Sequence, residues 1–186
     1  QLENLYNKIF AKFGVPDIFI NCSYPVGNDW SSSNFEKIKL KNLKENINIH
    51  LNSFSWLARL TAEKMKKSRK RGSIIQLGSI YGTVGQDLNI YKGVNNMREN
   101  MIYSIIKGGI SSLTKQMASY YGQYNIRVNT VHPDCVYDTH VWSDKILKER
   151  AKKYGISVSD YKRRNLLKTD VSSKDVAELV VFFASA

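Results

Sequence analysis

The sequence predicts an α/β domain organised on a parallel sheet, and three observations carry that prediction. Two short runs, 17–21 and 73–77, read as buried strands covered on both faces, and 126–131 reads as a third strand. The stretches between them carry helical periodicity over ten or more residues, which is how parallel strands are joined. A chain of 186 residues with 42% apolar content can fill one core but not two ordinary ones. The reading is therefore a single domain over residues 1–186.

Each element has its own signal. Leu2, Leu5, Ile9 and Phe13 recur at helical spacing, and Gly14 follows as a C-terminal cap. Pro16 opens the first strand, and the loop from Ser23 to Ser33 carries Pro25, Gly27 and Asn28. Phe35 to Lys67 is a long helical pattern with an expected break around Lys41 to Glu45. Gly72 ends its basic tail, and Ser73-Ile74-Ile75-Gln76-Leu77 is the second strand. The segment from Tyr81 to Asn100 has no clear period, and loops of that length are usually functional. Met101 to Tyr121 is a helix. Gly108-Gly109 in its middle is costly unless something must approach closely there. The third strand, 126–131, stops at Pro133. A charged helix over Val141 to Tyr154 and a basic irregular segment over Tyr161 to Lys168 follow. Ser172 or Ser173 caps a last helix, Val176 to Ala184, with Asp175 in its first turn.

Composition narrows the function classes. Twenty-eight Lys and Arg against 16 Asp and Glu give a net charge of +12. The basic residues lie mostly on helix faces and in turns, so a solvated surface explains them better than a nucleic-acid groove. Cys22 and Cys135 make no disulfide framework and indicate a reducing, cytoplasmic setting. Each follows a strand and reads as a small buried residue. The three histidines have no zinc-type spacing, so no metal is expected. No apolar run is long enough for a membrane span.

One constellation carries chemistry. Tyr103 and Lys107 stand four residues apart, one turn from each other on one helix face. An ammonium held there favours the phenolate and pulls the Tyr pKa down. Ser79, at the end of the second strand, could orient a carbonyl between them, as proton transfer coupled to hydride transfer requires. Alone the pair is weak, because a chain with 11 Tyr and many Lys offers roughly one such spacing by chance.

Residues along nearly the whole chain then converge. Residues 14–24, GVPDIFINCSY, are similar to the strand and Asn-Asn-Ala-Gly tetrad of the short-chain dehydrogenase/reductases, with only Asn21 of the tetrad kept. Asn48 matches the family's helix Asn. SIIQLGSIYG matches the strand delivering the catalytic Ser, and Tyr103 and Lys107 match the catalytic pair. IRVNTVHP and the closing helix follow in order. The chain thus resembles this family. The resemblance implies a Rossmann-like doubly wound parallel sheet in an α/β/α sandwich, incomplete because the first βαβ units and the last strand have no counterpart. Asp134 stands where a Gly is usual. An apparent insert, Gln86 to Arg98, and Ser23-Tyr24-Pro25 resemble a subgroup linked to bacterial surface-sugar and flagellin modification.

The resemblance implies NAD or NADP as cofactor and carbonyl–alcohol interconversion on a small molecule, sugar-linked in that subgroup. Tyr103 would be the proton donor, Lys107 would hold the ribose, Ser79 would bind the substrate oxygen and Asn48 would hold a water. Asn21, Cys22, Ser23, Pro133 and Val136 would line the cofactor, with Thr139 a weaker candidate. A homodimer or homotetramer is implied. Sugar-nucleotide epimerases and dehydratases, a polyanion-binding protein and an inactive fragment are the rival readings. A fragment would leave Leu5, Ile9 and Met117 partly uncovered and bind cofactor poorly. The coding frame would then continue upstream to a Thr-Gly-x-x-x-Gly-type turn, roughly sixty to eighty residues before Asp17.

Overall fold

A computed structural model describes residues 2–91 and 98–185. Its three strands, β1 (Ile18–Asn21), β2 (Gly72–Leu77) and β3 (Ile126–Val131), form one parallel sheet in the order β1-β2-β3. Register is set by Ile75, which lies beside Ile20 on one side and Asn129 on the other. Helix α1 (Leu2–Phe13) precedes β1. Helices α2 (Leu40–Asn46) and α3 (Ser53–Lys67) lie between β1 and β2, joined by a π-helical segment, Ile47–Asn52. The helical run thus begins later than Phe35 and is continuous through the expected break, with a wider turn instead of an interruption.

Helix α4 (Met101–Tyr121) links β2 to β3, followed by α5 (Asp144–Lys153), α6 (Val158–Lys162) and α7 (Ser173–Ala184). The α6 turn occupies the start of the stretch read as irregular. Ser172 caps α7 in a reciprocal capping box with Asp175, so this helix starts three residues earlier than its apolar pattern suggested.

The strand pleat sends alternate residues to opposite layers. Ile74, Ile126 and Val128 pack against Ala58, Ala62 and Met65 of α3 and Met117 of α4. Ile75 and Val131 pack against Val180 of α7. Helix α1 leans on α3, where the Tyr6 hydroxyl meets Thr61 Oγ1 at 3.0 Å. β1 is not covered on both faces as its composition implied. Among the described residues α7 packs on β2 and β3, and Ile18 and Ile20 are exposed. Leu5 and Ile9 are exposed as expected, whereas Met117 is buried between α4 and the sheet. Cys22 is exposed rather than buried. Arg164 does not belong to a solvated face, since its guanidinium stacks on the Tyr161 ring at 4.5 Å.

Candidate active site

The site is built where β2 ends. Ser79 has extended backbone, and its Oγ accepts the Tyr81 N–H at 3.2 Å. The Ile80 N–H donates to the Pro133 carbonyl at 3.2 Å, and His132 Nδ1 lies 3.0 Å from the Ser79 carbonyl oxygen. Ser79 is thereby fixed to the loop after β3. The next turn lies directly on α4. A Cβ on Gly82 would stand 2.7 Å from the Lys107 carbonyl, so only Gly allows this backbone-on-backbone contact. From the other side Leu51 packs where a Cβ on Gly109 would sit, at 3.0 Å. Close approach therefore accounts for Gly109, whereas a Cβ on Gly108 would meet the Gly82 carbonyl at an ordinary 3.5 Å.

The N-terminus of α4 is anchored by side chain and backbone together. Asn100 Oδ1 caps it by accepting the Tyr103 N–H at 2.8 Å, and the Met101 N–H donates to the Ser33 carbonyl at 3.0 Å. Tyr103 thus sits in the first turn, facing a cavity of about 420 Å³ that Ser79, Tyr24, Trp30 and Tyr81 also line. The rings of Tyr24, Trp30 and Tyr81 meet the Tyr103 ring edge-on, with centroids 6.1, 6.5 and 6.4 Å away. One turn on, Lys107 is 4% exposed and its Nζ donates to the Leu77 carbonyl at 2.8 Å. Its ammonium stands 5.7 Å from the Tyr103 ring centroid.

The electrostatics differ from the expectation. Burial pushes the Tyr103 phenol above its ordinary pKa, and the neighbouring Ser79 hydroxyl only partly offsets this. Lys107 is itself the perturbed group: burial lowers it to about 8, opposed by the nearby Cys22 thiol. At neutral pH the pair is a neutral phenol beside an ammonium.

Asn48 does not join this group. Its side chain is exposed and accepts a hydrogen bond from Asn52 Nδ2 at 3.1 Å. The residue that faces inward from the same segment is His50, which is wholly buried, with its ring 5.4 Å from Tyr24 and 5.1 Å from Phe54. The sequence held the signal. Counting back by fours from Ala62, Ala58 and Phe54, all of them buried, reaches His50 and Asn46 and misses Asn48.

The expected cofactor residues are placed unevenly. Asn21 is buried at the end of β1, where its Oδ1 accepts the Ser23 N–H and hydroxyl at 3.2 and 2.7 Å; its Nδ2 has no partner among the described residues. Cys22 and Ser23 are exposed beside it. Val136 and Thr139 line the cavity, and the Thr139 hydroxyl donates to the Val136 carbonyl at 3.0 Å. Asp134 lines it too, with a buried Oδ1 that lacks a partner among the described residues. Sequence reasoning missed the far wall, where Arg150 is flanked by the rings of Trp142 and Tyr91 at 4.8 and 5.3 Å. The insert of 86–98 lies partly outside the described residues, at 92–97.

A parallel sheet whose strand ends gather a Ser, a Tyr and a Lys one turn further on defines a class of oxidoreductase site. The comparisons with known proteins agree. A family model described as Enoyl-(Acyl carrier protein) reductase matches residues 1–186, and the chain belongs to the short-chain dehydrogenase/reductase family. Post-translational flagellin modification protein A of Campylobacter coli is 32% identical over 162 residues, covering 86% of this chain and 62% of that protein. L-rhamnose-1-dehydrogenase of Scheffersomyces stipitis is 28% identical over 174 residues, or 94% of this chain and 59% of the relative. A short-chain dehydrogenase of Leptospira borgpetersenii, solved with bound NAD+, superposes with a TM-score of 0.77 at 25% identity, over 100% of this chain and 64% of that one. The chain thus spans less than two thirds of the length of these relatives.

The residues present fit the nicotinamide end of a dinucleotide. The unpartnered Asn21 amide and the Lys107 ammonium offer donors to a ribose or carboxamide. The lone Asp134 oxygen accepts from an amide or a hydroxyl but would repel a phosphate. Among the described residues no His, Cys, Asp and Glu cluster suits a metal ion, and no helix is long and apolar enough to cross a membrane.

Proposed function

We propose that the protein interconverts a carbonyl and an alcohol on a sugar-type small molecule, with NAD or NADP as cofactor. The observation that carries this is the shared cavity of Ser79 and Tyr103, with Lys107 one turn behind. A nicotinamide bound there supplies or accepts a hydride. Tyr103 donates its proton to the carbonyl oxygen, and in the reverse direction its phenolate takes the proton back. The Ser79 hydroxyl holds the same oxygen. Lys107, kept positive below a pKa of about 8, favours the phenolate that remains after transfer. The aromatic lining by Tyr24, Trp30 and Trp142 suits the C–H faces of a sugar ring, and the flagellin-modification and rhamnose-oxidising relatives favour the same substrate class. Lys107 with Asn21, Cys22, Ser23, Pro133 and Val136 would line the cofactor.

The test is Tyr103→Phe in the protein expressed from its complete reading frame, assayed for carbonyl reduction on a panel of keto-sugars with NADH and NADPH. Loss of the proton donor lowers turnover by about 10²–10⁴ while cofactor affinity stays close to that of the parent. Near-normal reduction by the Phe variant would remove Tyr103 from this role.

A further inference from the structure

The mechanism leaves one charged group of the cavity unused. Asp134 follows Pro133, whose carbonyl accepts the Ile80 N–H at 3.2 Å, so the loop after β3 carries it to the Ser79 side of the site. It lines the cavity of about 420 Å³ that Ser79 and Tyr103 share, and its buried Oδ1 has no hydrogen-bond partner among the described residues. A buried carboxylate oxygen without a donor is costly, so the position suits a bound partner. Its charge is felt in the cavity wall: burial first, and the Asp134 charge next, hold the Cys135 thiol above its ordinary pKa. Of the other charged residues lining the cavity, Arg98 and Glu99 are neighbours of opposite sign. Arg150 is engaged on the far wall by the Tyr161 hydroxyl and the rings of Trp142 and Tyr91.

A hydride donor has to enter this same cavity. Reacting atoms must come within about 3–3.5 Å of each other, and the carbonyl carbon is placed by the Ser79 and Tyr103 groups that hold its oxygen. In reduction the hydride passes to that carbon, Tyr103 gives its proton to the oxygen, and the nicotinamide ring is left with one positive charge. We propose that the Asp134 carboxylate sets the redox preference of the site: it stabilises the cationic, oxidised nicotinamide over the neutral, reduced one, and so favours carbonyl reduction. This rests on the reading that a nicotinamide enters the cavity of Ser79 and Tyr103. The site already holds a cation, because the buried Lys107 ammonium stands 5.7 Å from the Tyr103 ring centroid and repels a positive ring. A carboxylate on the loop after β3 offsets that repulsion, whereas a Gly at the same place would supply no charge against it. For unit charges about 10 Å apart in a partly buried site, the preference amounts to roughly tenfold in affinity.

The experiment reads binding, not turnover. Isothermal titration calorimetry on the protein expressed from its complete reading frame gives the affinities for NAD+ and NADH, and for NADP+ and NADPH, without substrate. Asp134→Asn keeps the shape and a hydrogen-bond acceptor but loses the charge. It should weaken binding of the oxidised form about tenfold while the reduced form changes less than about threefold. Asp134→Glu keeps the charge and should hold the parent's ratio. Equal losses for both forms in the Asn variant would mark a structural or hydrogen-bonding role and overturn the proposal, as would an unchanged ratio. Should the variants fail to fold, the parent still decides: it should bind the oxidised form at least as tightly as the reduced one, and a more than tenfold preference for the reduced form overturns the proposal. A parent that binds neither form removes this idea together with the cofactor reading. Near-normal reduction by Tyr103→Phe would leave these affinities untouched, so the two ideas otherwise fail separately.

Discussion

Toward α3 and α4 the sheet is packed dry: Ala58, Ala62, Met65 and Ile74 are each 0% exposed. Toward α7 the cover is partial. Val180 seals β2 and β3, while Ile18 and Ile20 of β1 remain 45% and 42% exposed and Phe182 of α7 is 71% exposed. The difference teaches where the candidate site is held. Tyr103 and Lys107 stand on α4, and His50 enters α3, all on the dry side. A reacting constellation needs side chains locked by their neighbours, and only one side of this sheet supplies that locking.

The comparison breaks first at Phe54, whose ring underlies both His50 and Lys107. Phe54→Ala should cost about 3–5 kcal/mol in urea unfolding. It should also disturb the Lys107 titration, and a loss below about 1 kcal/mol would mean that this face is not the rigid one. The next effect depends on acid. The folded pKa of His50, about 4, lies below its unfolded value of 6.5. The unfolded chain therefore binds the proton first, and stability falls as pH drops from about 6.5 to about 4. The loss is on the order of 1–2 kcal/mol after allowance for solvent screening. His50→Asn should flatten that limb of a stability-against-pH curve, and an unchanged limb would assign it to carboxylates instead. The smallest effect belongs to the other face. Phe182→Ala should shift unfolding by no more than about 0.5 kcal/mol, and a larger loss would show that α7 is better covered in solution than its exposure indicates.

Much of this was legible beforehand, for local reasons. Ser79, Tyr103 and Lys107 sit on elements whose periodicity is strong, so their mutual placement follows from strand end and helix phase. β2 could be read as buried because it is. β1 could not, since Ile18 and Ile20 satisfy a buried-strand pattern whether or not a layer covers them. Asn48 failed for a different reason. Family spacing pointed to it, but the π-helical turn over Ile47–Asn52 changes the angular step, and the buried ladder of Asn46, His50 and Phe54 identifies the residue that faces inward. The Arg150 wall gave no sequence signal, because a charged residue in an amphipathic helix reads as solvated until the fold encloses it.

The contact of Gly82 with the α4 backbone has a consequence for how the cavity beside it can change. Ser79 lies three residues before that contact and Lys107 is at it, so the spacing of the two polar groups is set main chain to main chain. None of the cavity's aromatic side chains takes part in setting it. Tyr24, Trp30, Tyr91 and Trp142 come instead from loops on either side of that contact. The cavity wall can therefore be rebuilt residue by residue while the spacing of Ser79 and Lys107 stays fixed.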